Sequence, residues 1–355
     1  MVLNIIVFLL VLGVLVFVHE LGHFMAAKAL GIGVQEFGIG FPPRLFSKTR
    51  RGTVYSLNWL PFGGFVKLKG MDTVSNDHDS YQQARVWKRL LTVAAGVIMN
   101  VVLAFVILFV AYLIGFSPAT QPLETYKGAK ILHQEVVILG IQTNSAAAAV
   151  GLQPGDIIKS GNQQPLLTLA AFQQFTQAQA GQQIDLTVKR GSAELTLQPT
   201  LPSGSTAPLG VSIASNSVVR LPFLGALKGA WLETWGILKA ISLMLVDLVK
   251  EVFTQHQVPA EVVGPVGIYR ATAAAVSVGW SALVSLVVIL SLNLALVNVL
   301  PIPALDGGYI LFLLAELIFR KKIIKEKIEG ALVTLGFILL ITLLILMTWR
   351  DLVLV

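Results

Sequence analysis

At 355 residues, with 55% hydrophobic and only 13% charged residues and a mean hydropathy of +0.77, the chain is too apolar for an ordinary water-soluble globule. The net charge of +7 does not mark a nucleic-acid-binding protein, because Lys and Arg flank apolar segments instead of forming a basic domain. With no cysteine, disulfides and thiolate metal sites are excluded, so a bound metal must use His, Asp or Glu.

The first apolar stretch runs from Val2 to Ala29, and its first cationic residue is Lys28. It lacks the basic leader of a signal peptide and reads as a retained membrane helix. Near its end stands His19-Glu20-Leu21-Gly22-His23. Histidines at i and i+4 share one helix face about 6 Å apart along the axis, so both imidazoles can bind one Zn²⁺ while Glu20 polarises the metal's water. The alternative is a packed histidine pair with Glu20 as a paired carboxylate. Three ionisable groups within one turn or so of a membrane helix are costly unless they serve a site.

The following loop carries Arg44, Lys48, Arg50, Arg51, Lys67, Lys69, Arg85, Lys88 and Arg89. Within it Thr53 to Lys69 alternates around Pro61, Gly63 and Gly64, a strand–turn–strand pattern apolar enough to dip into a membrane. A second span is expected from Leu90 to Phe116, and the Gln-rich region after it reads as a small soluble domain. Its strands are expected at Glu135–Gln142, Asp156–Ser160, Ile184–Arg190 and Glu194–Pro199, with a helix at Leu169–Gln179.

Leu224 to Phe253 is long enough to span but carries Lys228, Glu233, Lys239, Asp247 and Lys250. We read one or two amphipathic interfacial helices there; a true span would invert everything after it. A third span is expected from Val276 to Leu300 and a fourth from Ala331 to Trp349, separated by Arg320, Lys321, Lys322, Lys325 and Lys327. Both Lys/Arg-rich loops are then cytoplasmic, and the soluble domain and both termini lie on the other side. The third span descends to the same side as His19 and His23 and ends in Asn298-Val-Leu-Pro-Ile-Pro-Ala-Leu-Asp306-Gly307-Gly308. Asp306 is the best candidate for the third ligand a catalytic zinc needs, although Asp-Gly after prolines is also an ordinary turn.

HELGH at 19 to 23, the NxxPxPxLDG pattern from Asn298 to Gly307, Pro61 to Val66 (PFGGFV) and Val263 to Ile268 (VGPVGI) together make the chain resemble the site-2 protease family, in its bacterial regulator-of-sigma-E protease branch. The resemblance implies one Zn²⁺ per chain on His19, His23 and Asp306, with Glu20 as general base. It implies that Asn293 and Asn298 bind the unwound substrate backbone, and that the hairpin residues Gly63, Gly64, Phe65 and Val66 add a strand to it; interhelical hydrogen bonding is the other reading of the asparagines. The segment Asn144 to Ile158 resembles part of a PDZ domain. Only one such domain fits here, where the enterobacterial type has two.

The expected fold is a polytopic α-helical membrane protein of about four transmembrane helices, with an inserted α+β PDZ-like domain and a membrane-associated β-hairpin. The expected divisions are 1–118 (spans one and two with the hairpin), 119–203 (PDZ-like), 204–275 (linker and interfacial helices) and 276–355 (spans three and four). The expected function is cleavage of transmembrane segments of other membrane proteins in the cell (inner) membrane, as in regulated intramembrane proteolysis of an anti-sigma factor or removal of remnant signal peptides. Partners are then transmembrane-helix substrates, the bilayer and peptide termini at the PDZ-like domain. A non-catalytic PDZ scaffold and a zinc transporter are the competing readings; an intact Glu20 argues against the first, and the lack of further ligands along the spans against the second.

Overall fold

A computed structural model describes residues 2–71, 75, 77–126, 128–191, 193–204, 209–255, 263–322, 324 and 326–353. Lys325, noted above, lies outside them. In chain order the elements are α1 (Val2–Leu30), β1 (Val34–Arg50), β2 (Thr53–Leu68), α2 (Val86–Ile114), β3 (Lys130–Ile141), α3 (Ala146–Ala149), β4 (Ile157–Gly161), β5 (Gln164–Pro165) and α4 (Leu169–Ala178). There follow β6 (Leu186–Arg190), β7 (Ala193–Leu197), β8 (Val211–Arg220), α5 (Phe223–Gln255), α6 (Pro265–Val278), α7 (Trp280–Val299), α8 (Asp306–Phe319) and α9 (Glu326–Val353). They form two compact units, Met1–Phe109 with Ala230–Val355, and Val110–Gly229.

Among the described residues, five helices are long and apolar enough to cross a membrane: α1, α2, α7, α9 and the Phe223–Leu248 part of α5. Four coincide with the spans read from the sequence. α5 is one continuous helix of 33 residues, not a pair, and is the least apolar of the five. The third apolar stretch is divided at Gly279, whose φ of 126° breaks the helix and separates α6 from α7.

In the larger unit, α1 lies against both the β1–β2 sheet and α2. Gly22 lets the last two backbones touch, since a Cβ there would overlap the Ala95 carbonyl. Arg89 of α2 reaches Glu316 of α8 at 2.6 Å, an ion pair with both side chains largely buried. The VGPVGI segment opens α6, where the Asp351 carboxylate of α9 accepts the Gly267 N–H at 2.8 Å and so satisfies a helix-terminal donor.

The strand pattern over Thr53–Lys69 is only half of a larger sheet. β1 pairs with β2 twice: Phe37 lies opposite both Tyr55 and Val66, while Arg44 to Arg50 pairs back along Asn58 to Thr53. Both strands therefore bend, and four stretches lie side by side in the order 44–50, 53–60, 34–41 and 64–68. Gly63 makes the second bend at φ 71°, and a Cβ on Gly64 would overlap the Gly38 carbonyl. Far from the bend toward α1, Leu45, Phe46, Leu57 and Trp59 are exposed.

The smaller unit is a sheet in the order β7-β6-β4-β3-β8, with β5 on β4. Its core joins Val136, Ile138, Ile158, Leu186 and Val188 to Phe172 and Phe175 of α4. Thr168 caps α4 by accepting the Ala171 N–H. Asp156 is buried and held by Arg190 through two 2.7 Å bonds, which keep its carboxyl below the usual carboxylate range.

Candidate active site

His19 and His23 lie on the face of α1 that meets α2, and both are over nine-tenths buried. The opposing face of α2 presents Thr92, Gly96 and Asn100, spaced one turn apart. Gly96 is the space in which the imidazoles lie, because a Cβ there would overlap rings of both histidines. The His23 Nδ1–H donates to the Thr92 carbonyl at 2.8 Å, which leaves the lone pair on Nε2.

Asn100 plays the matching part for His19. It is fully buried, its Nδ2 lies 3.3 Å from His19 Nδ1, and its Oδ1 has no hydrogen-bond partner. Turning the amide by half a turn puts Oδ1 on the Nδ1–H and leaves Nε2 of His19 with its lone pair too. Ser291 of α7 donates to the Asn100 carbonyl at 2.8 Å and ties the third helix to this point.

Asp306 arrives from the other end of the sequence, at the N-terminus of α8, where a helix favours a negative charge. The turn that delivers it is tight enough to require glycine: a Cβ on Gly307 would overlap the Val299 and Leu300 carbonyls, and one on Gly308 the Ile302 carbonyl. Gly336 of α9 likewise leaves room for the Pro303 carbonyl.

The three groups converge. His19 Nε2 is 3.1 Å from His23 Nε2, and Asp306 Oδ2 is 3.1 and 3.4 Å from those two nitrogens. Asp306 Oδ2 is nevertheless buried without a hydrogen-bond partner. Ligands about 2.0–2.2 Å from a tetrahedral zinc lie about 3.3–3.6 Å from one another, so three inward lone pairs at these separations fit that ion. Glu20 lies beside them, with Oε2 accepting the Val66 N–H at 3.0 Å.

A cavity of about 310 Å³ opens on this cluster, lined by His19, Glu20, His23, Val66, Asn298 and Asp306 among others. Asn293, Gly63, Gly64 and Phe65 do not line it. Asn293 and Asn298 are five residues apart on α7 and so point about 140° apart around the helix. Gly63 and Gly64 shape the sheet, and Phe65 stacks on Phe41. The α2 residues escaped the sequence reading; their signal was a Thr, a Gly and an Asn at four-residue spacing in an otherwise apolar span.

Several apolar helices, a paired-histidine cluster with a third acidic group, and a carboxylate on the wall of a cavity fit a metalloprotease of the membrane interior. Peptidase family M50 matches residues 7–343, and the chain belongs to that family. It is an intramembrane zinc metalloprotease. A Clostridium perfringens relative is 34% identical over 97% of both chains. The Regulator of sigma-W protease RasP of Bacillus subtilis is 30% identical over 98% of both, and the Zinc metalloprotease RasP of Shouchella clausii 30% over 97% of both. The solved PDZ domain of an SdrC-like protein from Listeria monocytogenes aligns with 24% of this chain and 93% of its own, at 17% identity and a TM-score of 0.22.

Proposed function

We propose that His19, His23 and Asp306 hold the zinc, that Glu20 is the general base, and that the chain cuts peptide bonds inside the transmembrane segments of other proteins. The convergence of two imidazole nitrogens and an otherwise unpartnered Asp306 oxygen carries this reading. Zinc, when bound, activates a water and polarises the scissile carbonyl. Glu20 takes the proton from the attacking water and returns it to the leaving amide nitrogen. Thr92 and Asn100 keep both imidazoles in the tautomer that binds through Nε2. Asn298, on the cavity wall, hydrogen-bonds the opened substrate backbone.

A helix hides its carbonyls in internal bonds, so the substrate must unwind locally before hydrolysis. The 64–68 stretch is the sheet edge that faces α1, and its Val66 N–H is already occupied by Glu20. A substrate strand adding at this edge exchanges with Glu20 for that N–H, which couples docking to release of the base. The exposed apolar hairpin supports a membrane-dipping position.

The finer topology follows from charge. The Lys/Arg-rich segments 44–89 and 320–327 lie in the cytoplasm, and the central sheet unit lies outside it as a single PDZ-like domain that receives peptide or protein termini. By analogy with the named relatives, an anti-sigma factor is the substrate class, with remnant signal peptides as the second. The metal assignment is tested by zinc content. Purified protein should carry about one zinc per chain, and Asp306→Ala should lose most of it while keeping its helical content. Full zinc retention by that variant would remove Asp306 from the ligand set.

A further inference from the structure

The smaller unit contains a second cavity, of about 470 Å³, at the end of α2 and the start of α5. Its lining pairs two cations, Lys130 and Arg220, with the apolar groups Leu113, Pro222 and Phe223. Lys130 and Arg220 stand directly opposite each other in the β3–β8 ladder. Like charges in facing positions repel, and sheets ordinarily avoid them. Among the described residues no carboxylate lines the cavity or pairs with either side chain.

Arg220 is partly committed, since its Nε donates to the Leu113 carbonyl at 3.0 Å and closes the end of α2. Arg220 and Lys130 line the same cavity. The setting indicates which kind of anion suits this surface. α2 is long and apolar enough to cross a bilayer, and a span of that length puts its last turn, which supplies Leu113, at the level where hydrocarbon gives way to headgroups. Immediately beyond Arg220, Phe223 and Leu224 are 63% and 76% exposed. An anion with an apolar tail matches both halves of this surface.

We propose that Lys130 and Arg220 form a binding site for the phosphate of an anionic phospholipid, whose acyl chains lie along Leu113 and Phe223. The lipid relieves the repulsion between the two facing cations and anchors the end of α2 to the sheet at the headgroup level. The site is independent of the zinc cluster and of proteolysis.

Native mass spectrometry of the full chain, released from micelles containing equal phosphatidylglycerol and phosphatidylcholine, tests this. The wild type should retain phosphatidylglycerol selectively. Lys130→Gln and Arg220→Gln should each weaken retention about fivefold, the increment expected for one cation at an anionic membrane surface. Arg220→Lys, which keeps the charge and loses the planar fork, should retain the lipid. Lys189→Gln, an equal loss of charge elsewhere on the sheet, should behave as wild type. Undiminished phosphatidylglycerol on the Lys130→Gln/Arg220→Gln double variant, or equal retention of both lipids by the wild type, would overturn the proposal. Displacement of phosphatidylglycerol by millimolar inorganic phosphate would overturn it too, by making this a free-anion site.

Discussion

Asn100 offers a sharp handle on the metal cluster because it touches His19 without being a ligand. It is fully buried, and its amide is the group facing His19 Nδ1. Asn100→Ala strips that partner and leaves a buried Nδ1–H unsatisfied, a loss of about 1–3 kcal/mol. It also lets the imidazole take the tautomer whose Nε2 carries a proton and cannot bind metal. Removing such a partner typically lowers metal affinity about 10–100-fold, which agrees with the hydrogen-bond figure. Competition against a chelator of known zinc affinity, with thermal unfolding as a control for folding, measures the effect. Asn100→Asp keeps an acceptor at Nδ1 and should hold zinc far better than Asn100→Ala. Wild-type zinc affinity in Asn100→Ala, or equal weakening in both variants, would refute the reasoning.

Two further outcomes are expected. Gly96→Ala places a Cβ where the imidazoles lie, and overpacking of this kind costs about 1–3 kcal/mol; zinc content should fall while the nearby Ala95→Gly variant retains it. In the sheet unit, Arg190 depresses the Asp156 pKa, so their pairing stabilises the fold above the carboxylate's unfolded value near 3.9 and the gain is lost as pH falls through the lower folded value. Hydrogen exchange of the β4 and β6 amides in the full chain should be faster in Arg190→Gln at pH 7, with the difference from wild type shrinking toward pH 3.

What could be read in advance was whatever short-range spacing encodes. His19 and His23 need only one helix to share a face, and the apolar runs of α1, α2, α7 and α9 are long enough to declare themselves. The strand alternation of the central domain was also visible at β3, β4, β6 and β7. Relations across the chain were not. Asn100 and His19 are 81 residues apart, and nothing local to either names the other. β1 carries Gly38, Gly40, Pro42 and Pro43 around its bend, so its pairing on both sides with β2 left little alternation to find. Gly279 looked like one small residue in an apolar run, yet its positive φ divides α6 from α7. Asp306 is intermediate: its proximity to the histidines followed from span direction, while the glycine-dependent turn that delivers it needed coordinates.

The central claim is that Glu20, beside a zinc held by His19, His23 and Asp306, hydrolyses a peptide bond within a membrane span. The direct test is to reconstitute the zinc-loaded protein in liposomes with a single-span substrate and locate the cut by mass spectrometry. The account predicts cleavage inside the apolar segment by the wild type, and none by Glu20→Gln, which should still carry about one zinc per chain. Cleavage at the same bond by zinc-loaded Glu20→Gln would contradict it.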